Sequence, residues 1–345
     1  MKKQDIIVVG ASTGGVTALK EFVRTIPKDF KGSIFIVLHI QPYTESRLPW
    51  ILSKAGTLEA VHPKDGETIE EGKIYVAYND HHLILEEGKV RVKRGPKENR
   101  FRPSIDALFR SAAYVYGSRV IGVILSGILN DGVSGLWTIQ QMGGTVIVQE
   151  PEDAEQPQLP LNTMEYVTPD YKLAAADMGP LISGLVLKPA PEKNKLSEEE
   201  LKRLKLEIII ATKDNAFEMG VMEMGELTPF TCPECHGALV RLEEAKLIRF
   251  RCHTGHAYTA SSLLAEVSET IESMLWQSMR GLEEMNMLMK NIGDHYEKLK
   301  DKKAAKLFRA KAEDSADRAR VIHDSVIQQN QYSEDMRLNK EHFDY

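Results

Sequence analysis

Cysteine is scarce in this chain: three among 345 residues, all between residues 232 and 252. So few exclude a disulfide-stapled fold, and their clustering points to a metal site. Long apolar runs are missing too. No stretch reaches the about 18 residues that a membrane-spanning helix requires. The N-terminus passes from two lysines into Ile6–Val9, too short an apolar segment for a secretory leader, so a cytoplasmic protein without membrane insertion is expected. Nor is there a basic excess. A formal net charge of −6 argues against a general nucleic-acid binder, whose electrostatic footprint is positive.

What is present suits a globular protein of two or three domains. Residues 1–188 alternate apolar strands with amphipathic helices. Candidate strands are Ile6–Val9, Ile34–Leu38, Lys73–Ala77, Val120–Leu125 and Thr145–Gln149. Their nearly unbroken apolar character is that of parallel strands covered on both faces. A helix over Val16–Ile26 places Val16, Leu19, Phe22, Val23 and Ile26 on one stripe. "HHLILEEGKVRVKRG" reads as a β-hairpin turning at Glu87-Gly88. The expected fold is α/β, a doubly wound, mainly parallel sheet with that hairpin as an excursion. Beyond it, 189–227 reads as a linker and connecting segment, opened by "KPAPEKNKLSEEE". A small zinc-ribbon-like Cys/His module follows at 228–260, then a C-terminal α-helical hairpin at 261–330 and a polar tail at 331–345.

The first strand ends on "VGASTGG". A dinucleotide fingerprint needs glycine where Ser12 stands, and no Gly-Lys-Ser/Thr closes the turn as a P-loop would. Gly10-Ala11-Ser12-Thr13-Gly14 instead has the G-x-S-x-G form of a tight strand-to-helix turn that presents a serine hydroxyl. Taken alone, Ser12 has two readings, helix cap or nucleophile. A nucleophile needs a base and an orienting carboxylate. His39 directly follows an apolar strand, whereas His62, His81 and His82 lie in polar turn regions and read as surface residues. Asp131 lies in a small-residue loop after another apolar strand, "VIGVILSGILNDGVSGL". Asp106 in "RPSIDALF" is its competitor, although a position near a helix start explains it through dipole complementation. Three strands thus deliver Ser12, His39 and Asp131 to one sheet edge, where open α/β sheets build their sites. That conjunction favours the nucleophile.

The order Ser…His…Asp, with "VGASTGG", "VLHI", "IYVAYNDHHLIL", "RPSIDALF", "ILSGILNDGVSGL" and "VIVQEPEDA", resembles the catalytic domain of the chemotaxis protein-glutamate methylesterases, the CheB family, over residues 4–187. The resemblance implies a serine hydrolase needing no cofactor, with Ser12 as nucleophile, His39 as base and Asp131 as orienting carboxylate. It implies that Thr13 and Gly14 line the oxyanion or substrate edge. The implied substrates are glutamate γ-methyl esters on the helices of methyl-accepting chemoreceptors, with glutamine deamidation in many members. Three departures stand out. The phosphorylatable receiver domain of the best-known members is expected to be missing, since the first catalytic strand starts at Ile6. Ile128-Leu129 stands where a Met-Gly pair is common, altering the substrate wall, and Leu159-Pro160-Leu161 replaces a Met-Pro-Arg. A different protein ester or amide, or a non-enzymatic signalling scaffold, is the alternative.

In "TCPECHGAL…RFRCHTGHAY" the C-x-x-C knuckle and the later Cys and His suit tetrahedral zinc. Cys232, Cys235, Cys252 and His256 form the expected ligand set, with His253 as the alternative fourth member. Leu264, Val267, Ile271, Met274, Met279, Leu282, Met285, Met289 and Ile292 recur mostly at threes and fours. Such a stripe is the seam of a helical hairpin, or a face for a partner helix or a second copy of the chain.

Overall fold

The apolar runs form the middle of a seven-stranded sheet. The computed structural model describes residues 3–40, 46–192, 196–213, 216–244 and 247–328. β1 (Ile6–Ala11) leads into α1 (Gly15–Arg24), β2 (Ser33–Leu38), α2 (Leu48–Ala55), β3 (Glu59–Val61) and β4 (Lys73–Val76). A separate antiparallel hairpin, β5 (His82–Glu86) and β6 (Lys89–Lys93), follows, as its sequence suggested. Then come α3 (Ile105–Tyr116), β7 (Val120–Ile124), α4 (Val133–Gln141), β8 (Thr145–Gln149), α5 (Gln158–Tyr166), β9 (Tyr171–Leu173) and α6 (Ala175–Leu185). The strand order is β3-β4-β2-β1-β7-β8-β9, every neighbour parallel. The short strands β3 and β9 escaped the sequence reading because three residues carry too little periodicity.

Alternation along β1 divides the core. Ile7, Val9 and Ala11 pack on one face with Leu19, Phe22 and Ile182 from α1 and α6. Ile6 and Val8 pack on the other with Leu108, Leu136 and Leu159 from α3, α4 and α5, and with Leu83 and Leu85 of the hairpin. This double cover lets the strands be apolar throughout. Val16, expected on the buried stripe of α1, is instead 39% exposed; the buried face of the helix is made by Gly15, Ala18, Leu19, Phe22 and Val23.

The segment 189–227 holds more than a linker. α7 (Glu198–Thr212) starts with a capping box in which the Ser197 side chain accepts from the Glu200 N–H and the Glu200 side chain accepts from the Ser197 N–H. A four-stranded antiparallel sheet follows: β10 (Glu226–Thr231), β11 (Ala238–Glu244), β12 (Leu247–Cys252) and β13 (Ala257–Thr259). α8 (Ala260–Lys298) and α9 (Lys302–Gln328) complete the described chain; the 331–345 tail lies outside the described residues. Two compact units result, Met1–Leu263 and Leu264–Tyr345.

The first unit is tied together by buried charge. Arg249 bonds Glu207 at 2.5 Å and also pairs with Glu244, while Arg251 bonds Glu98 at 2.8 Å and Glu207 at 3.0 Å. Arg110 of α3 pairs with the other oxygen of Glu98. Each charge is expensive to bury alone and is therefore held only while its partners stay. In the second unit, Ala305, Ala312 and Ala319 of α9 are buried at seven-residue intervals, and Ser315 Oγ donates to the Leu282 carbonyl at 2.8 Å. Small residues there allow close approach of the two helices. Of the stripe expected on α8, Leu264, Ile271, Met274 and Met285 are exposed; Met279, Leu282, Met289 and Ile292 are half-buried.

Candidate active site

Three adjacent strands place three side chains at one sheet edge. In the order β2-β1-β7, Ala11 pairs with Leu38 and Gly10 with Ile124, so the carboxyl ends of these strands coincide. Ser12 follows β1 at once, its N–H donating to the Ser126 carbonyl at 2.9 Å. His39 follows β2, its N–H donating to Ala11 O at 3.2 Å. Asp131 ends the loop after β7. His39 Nδ1 lies 3.2 Å from Ser12 Oγ, and Nε2 lies 2.8 Å from Asp131 Oδ2. The Phe101 ring stacks on the imidazole, 3.7 Å between centroids and 6° from parallel, limiting its rotation.

The helix-cap alternative does not account for Ser12. The N-cap of α1 is Gly14, at φ 75°, with no side-chain cap bond, and the hydroxyl of Ser12 faces His39. A Cβ at residue 14 would meet Ser126 Oγ at 2.6 Å, so glycine is required by both conformation and space. Gly14 and Thr13 sit where the positive end of α1 meets Ser12. Ile128, 37% exposed, adjoins Gly127, whose backbone packs on Ser12; a Cβ there would lie 2.9 Å from Ser12 Cβ.

Asp131 does not cap the α4 that follows it; Gly132 does so without a side-chain bond. Its carboxylate instead closes the N-terminus of α3, accepting from Ile105 N at 2.6 Å, Ser104 Oγ at 2.9 Å and more weakly Asp106 N at 3.4 Å. Asn99 Nδ2 adds a donor at 2.8 Å. Burial alone would raise this carboxyl's pKa, but the His39 hydrogen bond and charge, with Asn99 and the Ile105 N–H, carry it below the ordinary value. Asp106 answers reciprocally. It accepts from Gly135 N at 2.6 Å, inside the first turn of α4. Its burial, and the Asp131 charge beside it, push it up to about 7. The two carboxylates differ because the donors on Asp131 outweigh its burial, whereas burial and the neighbouring negative charge outweigh those on Asp106.

His82, read from the sequence as a surface residue, is fully buried; Nε2 bonds Pro96 O at 2.8 Å and Nδ1 accepts from the Ser104 N–H at 3.2 Å. The polar look of its flanks hid the fact that strand β5 packs under α3. A cavity of about 360 Å³ lined by Asp5, Lys31, Glu71, Glu87 and Arg119 lies at the amino end of the strands, away from Ser12.

The Cys/His residues converge as well. Ligand atoms of Cys232, Cys235, Cys252 and His256 lie within 4.8 Å of one another. Cys235 and Cys252 sulfurs are 3.6 Å apart, and His256 Nδ1 is 3.5 Å from Cys252 Sγ and 3.7 Å from Cys232 Sγ. Ligands about 2.3 Å from a tetrahedral zinc stand at just such mutual spacings. His256 Nε2 is held by Glu234 at 3.1 Å, the carboxylate–histidine pairing typical of metal sites. His253 stands apart, edge-on to Phe217 at 6.3 Å. The contribution of Asn99 and Phe101 was missed from the sequence, where "KENRF" shows no motif.

Comparison with known proteins agrees with this architecture. The pattern of the family described as CheB methylesterase matches residues 7–182. A Leptospira interrogans relative is 37% identical over 171 residues, covering 49% of this chain and 89% of that one. The protein-glutamate methylesterase/protein-glutamine glutaminase of Trichodesmium erythraeum is 40% identical over 152 residues, 43% of each chain. The crystal structure of the Thermotoga maritima CheB methylesterase catalytic domain superposes with a TM-score of 0.51 at 33% identity, covering 53% of this chain and 98% of that one. By sequence pattern and by fold alike, the chain belongs to the CheB methylesterase family.

Proposed function

We propose that this protein is a serine hydrolase that removes methyl groups from glutamate γ-methyl esters of methyl-accepting chemoreceptors, and that it deamidates glutamine at such sites. The observation that carries this reading is the relay in which His39 bridges Ser12 and Asp131 at the sheet edge. His39 Nδ1 takes the Ser12 proton as Oγ attacks the ester carbonyl, while Asp131 orients the ring and stabilises its positive charge. N–H groups of Thr13 and Gly14, at the start of α1, face the developing oxyanion, and Ile128 walls the substrate. Collapse of the tetrahedral intermediate expels methanol with the proton from His39. Water, deprotonated by the same imidazole, then attacks the glutamyl-enzyme, and the glutamate carboxylate leaves as Ser12 recovers its proton. With glutamine the leaving group is ammonia. No step requires a cofactor.

The exposed Ile271, Met274 and Met285 of α8 suit packing against helical receptor segments. We place the reaction in the cytoplasm, in keeping with three free cysteines; among the described residues no helix is long and apolar enough to cross a membrane. Cys232, Cys235, Cys252 and His256 are assigned to a structural zinc, a closed set that leaves no open position for catalysis. Metal analysis of wild type against Cys232→Ser tests the ligand set; equal zinc in both would overturn it. The function is tested by methanol release from methylated receptor. Release by wild type and none by Ser12→Ala is expected, and release by both would remove Ser12 from the mechanism.

A further inference from the structure

Residues 97–101 run between the Ser12 site and the Cys/His module and touch both. Lys97 Nζ bonds Glu234 Oε1 at 2.6 Å, and the other oxygen of Glu234 holds His256. The Asn99 N–H donates to Ala257 O at 2.7 Å, and the Ala257 N–H donates to Lys97 O at 3.2 Å, a short ladder against β13. Phe101 is the ring stacked on His39.

Asn99 itself is 4% exposed. Its Nδ2 donates to Asp131 at 2.8 Å and to Asp106 at 2.9 Å. Its Oδ1 accepts from the Thr259 N–H at 2.8 Å and from Ser262 Oγ at 3.1 Å. A primary amide has two donors and two lone pairs, and here all four are used. The orientation is forced, because a backbone N–H can only donate and an ionised Asp131 can only accept. β13 begins one residue after His256, and the Cys252 N–H donates to His256 O at 2.9 Å, so the ligand loop runs directly into the strand that holds Asn99.

We propose that Asn99 is a positioning residue for the triad carboxylate and that the metal-loaded Cys/His module, acting through it, is a working part of the hydrolase site. The proposal rests on the serine-hydrolase reading of Ser12. Folding of the ligand loop about zinc fixes β13; β13 fixes the amide; the amide holds Asp131 in line with His39. The titratable and charged groups around this carboxylate are His39, His82, and Asp106 with Arg110 of α3; Arg249 of β12 acts on Asp106. Without the Asn99 donor the two carboxyls lose the group that bonds both, and Asp131 takes up a proton at higher pH than before.

The test uses the full chain and a fluorophosphonate, which labels an activated serine whatever the natural ester. Asn99→Asp keeps the acceptor toward Thr259 and replaces the amide donor toward Asp131 with a carboxyl oxygen. It is expected to slow Ser12 labelling about 10- to 100-fold, the worth of one hydrogen bond to a charged group. The acid limb of its pH profile moves upward, with zinc content as in wild type. Asn99→Ala is expected to show the same displaced limb. Stripping zinc from wild type should slow labelling reversibly, and should slow the Asn99→Asp protein little further. Wild-type rate and acid limb in both variants would overturn the positioning role. Unchanged labelling of the stripped wild type, or equal slowing of wild type and variant, would overturn the route through Asn99. Failure of wild type to label would overturn the hydrolase reading itself, whereas labelling without methanol release would overturn only the choice of ester.

Discussion

The Ser12 site and the Cys/His cluster are built in opposite ways. Ser12, His39 and Asp131 come from three strand ends, His39 and Asp131 standing 92 positions apart, and meet because parallel strands in register present their carboxyl ends together. The four Cys/His residues come from two short knuckles within 25 positions and converge by local turns, such as the Cys232 N–H donating to Gly237 O at 2.8 Å. The first kind of site depends on the whole core. The second depends on a few hydrogen bonds and, as proposed, on a metal. The buried ion network and residues 97–101 join the two.

Changes that break this comparison can be ranked. Ser12→Ala removes the proposed nucleophile and is expected to lower turnover by about 10⁶, with zinc content unchanged. Asp131→Ala should cost about 10⁴, read in the same methanol assay; nearly normal activity would remove Asp131 from the triad. Arg251→Met leaves Glu98 to Arg110 alone and Glu207 to Arg249 and Arg110, and is expected to cost about 3 kcal/mol in denaturant unfolding, far more than an exposed arginine such as Arg280. Acid unfolding sharpens the point. Burial would raise the Glu98 carboxyl, but Arg110 and Arg251 hold it at about 2, below its ordinary 4.5. Its folded-state pKa is depressed, so the stability it contributes is complete above about pH 4.5 and is lost as pH falls toward 2. The Arg251→Met protein should lose much of that slope. Smallest is Met285→Ser on the exposed face of α8. It should leave melting within about 0.5 kcal/mol, while weakening receptor binding if that face docks.

Much of this was legible in one dimension. Apolar runs bounded by turn residues marked five of the seven sheet strands, and Gly88 marked the hairpin turn. G-x-S-x-G separated a serine turn from a phosphate loop, because glycine is missing where a pyrophosphate would need it. The cysteine spacing named the metal candidates. These features are local: a strand's face, a turn's φ and a knuckle's reach depend on residues a few positions apart.

Other features depend on what packs against what. Nothing in "NDHHLIL" marks His82 as buried; α3 covering β5 does that. Asp106 and Asp131 look alike in sequence as small-loop or helix-start acids. Only the fold gives one carboxylate the N-terminus of α3, Ser104, Asn99 and His39, and leaves the other beside a like charge. Val16 fits the helical stripe yet faces outward, since periodicity gives an angle and not a neighbour. The pairing of Glu98 with Arg110 and Arg251, and Asn99's place between β13 and Asp131, arise from long-range burial. A charge in water costs nothing to place anywhere in a sequence; once buried it must find its partner, and only the tertiary structure decides which one.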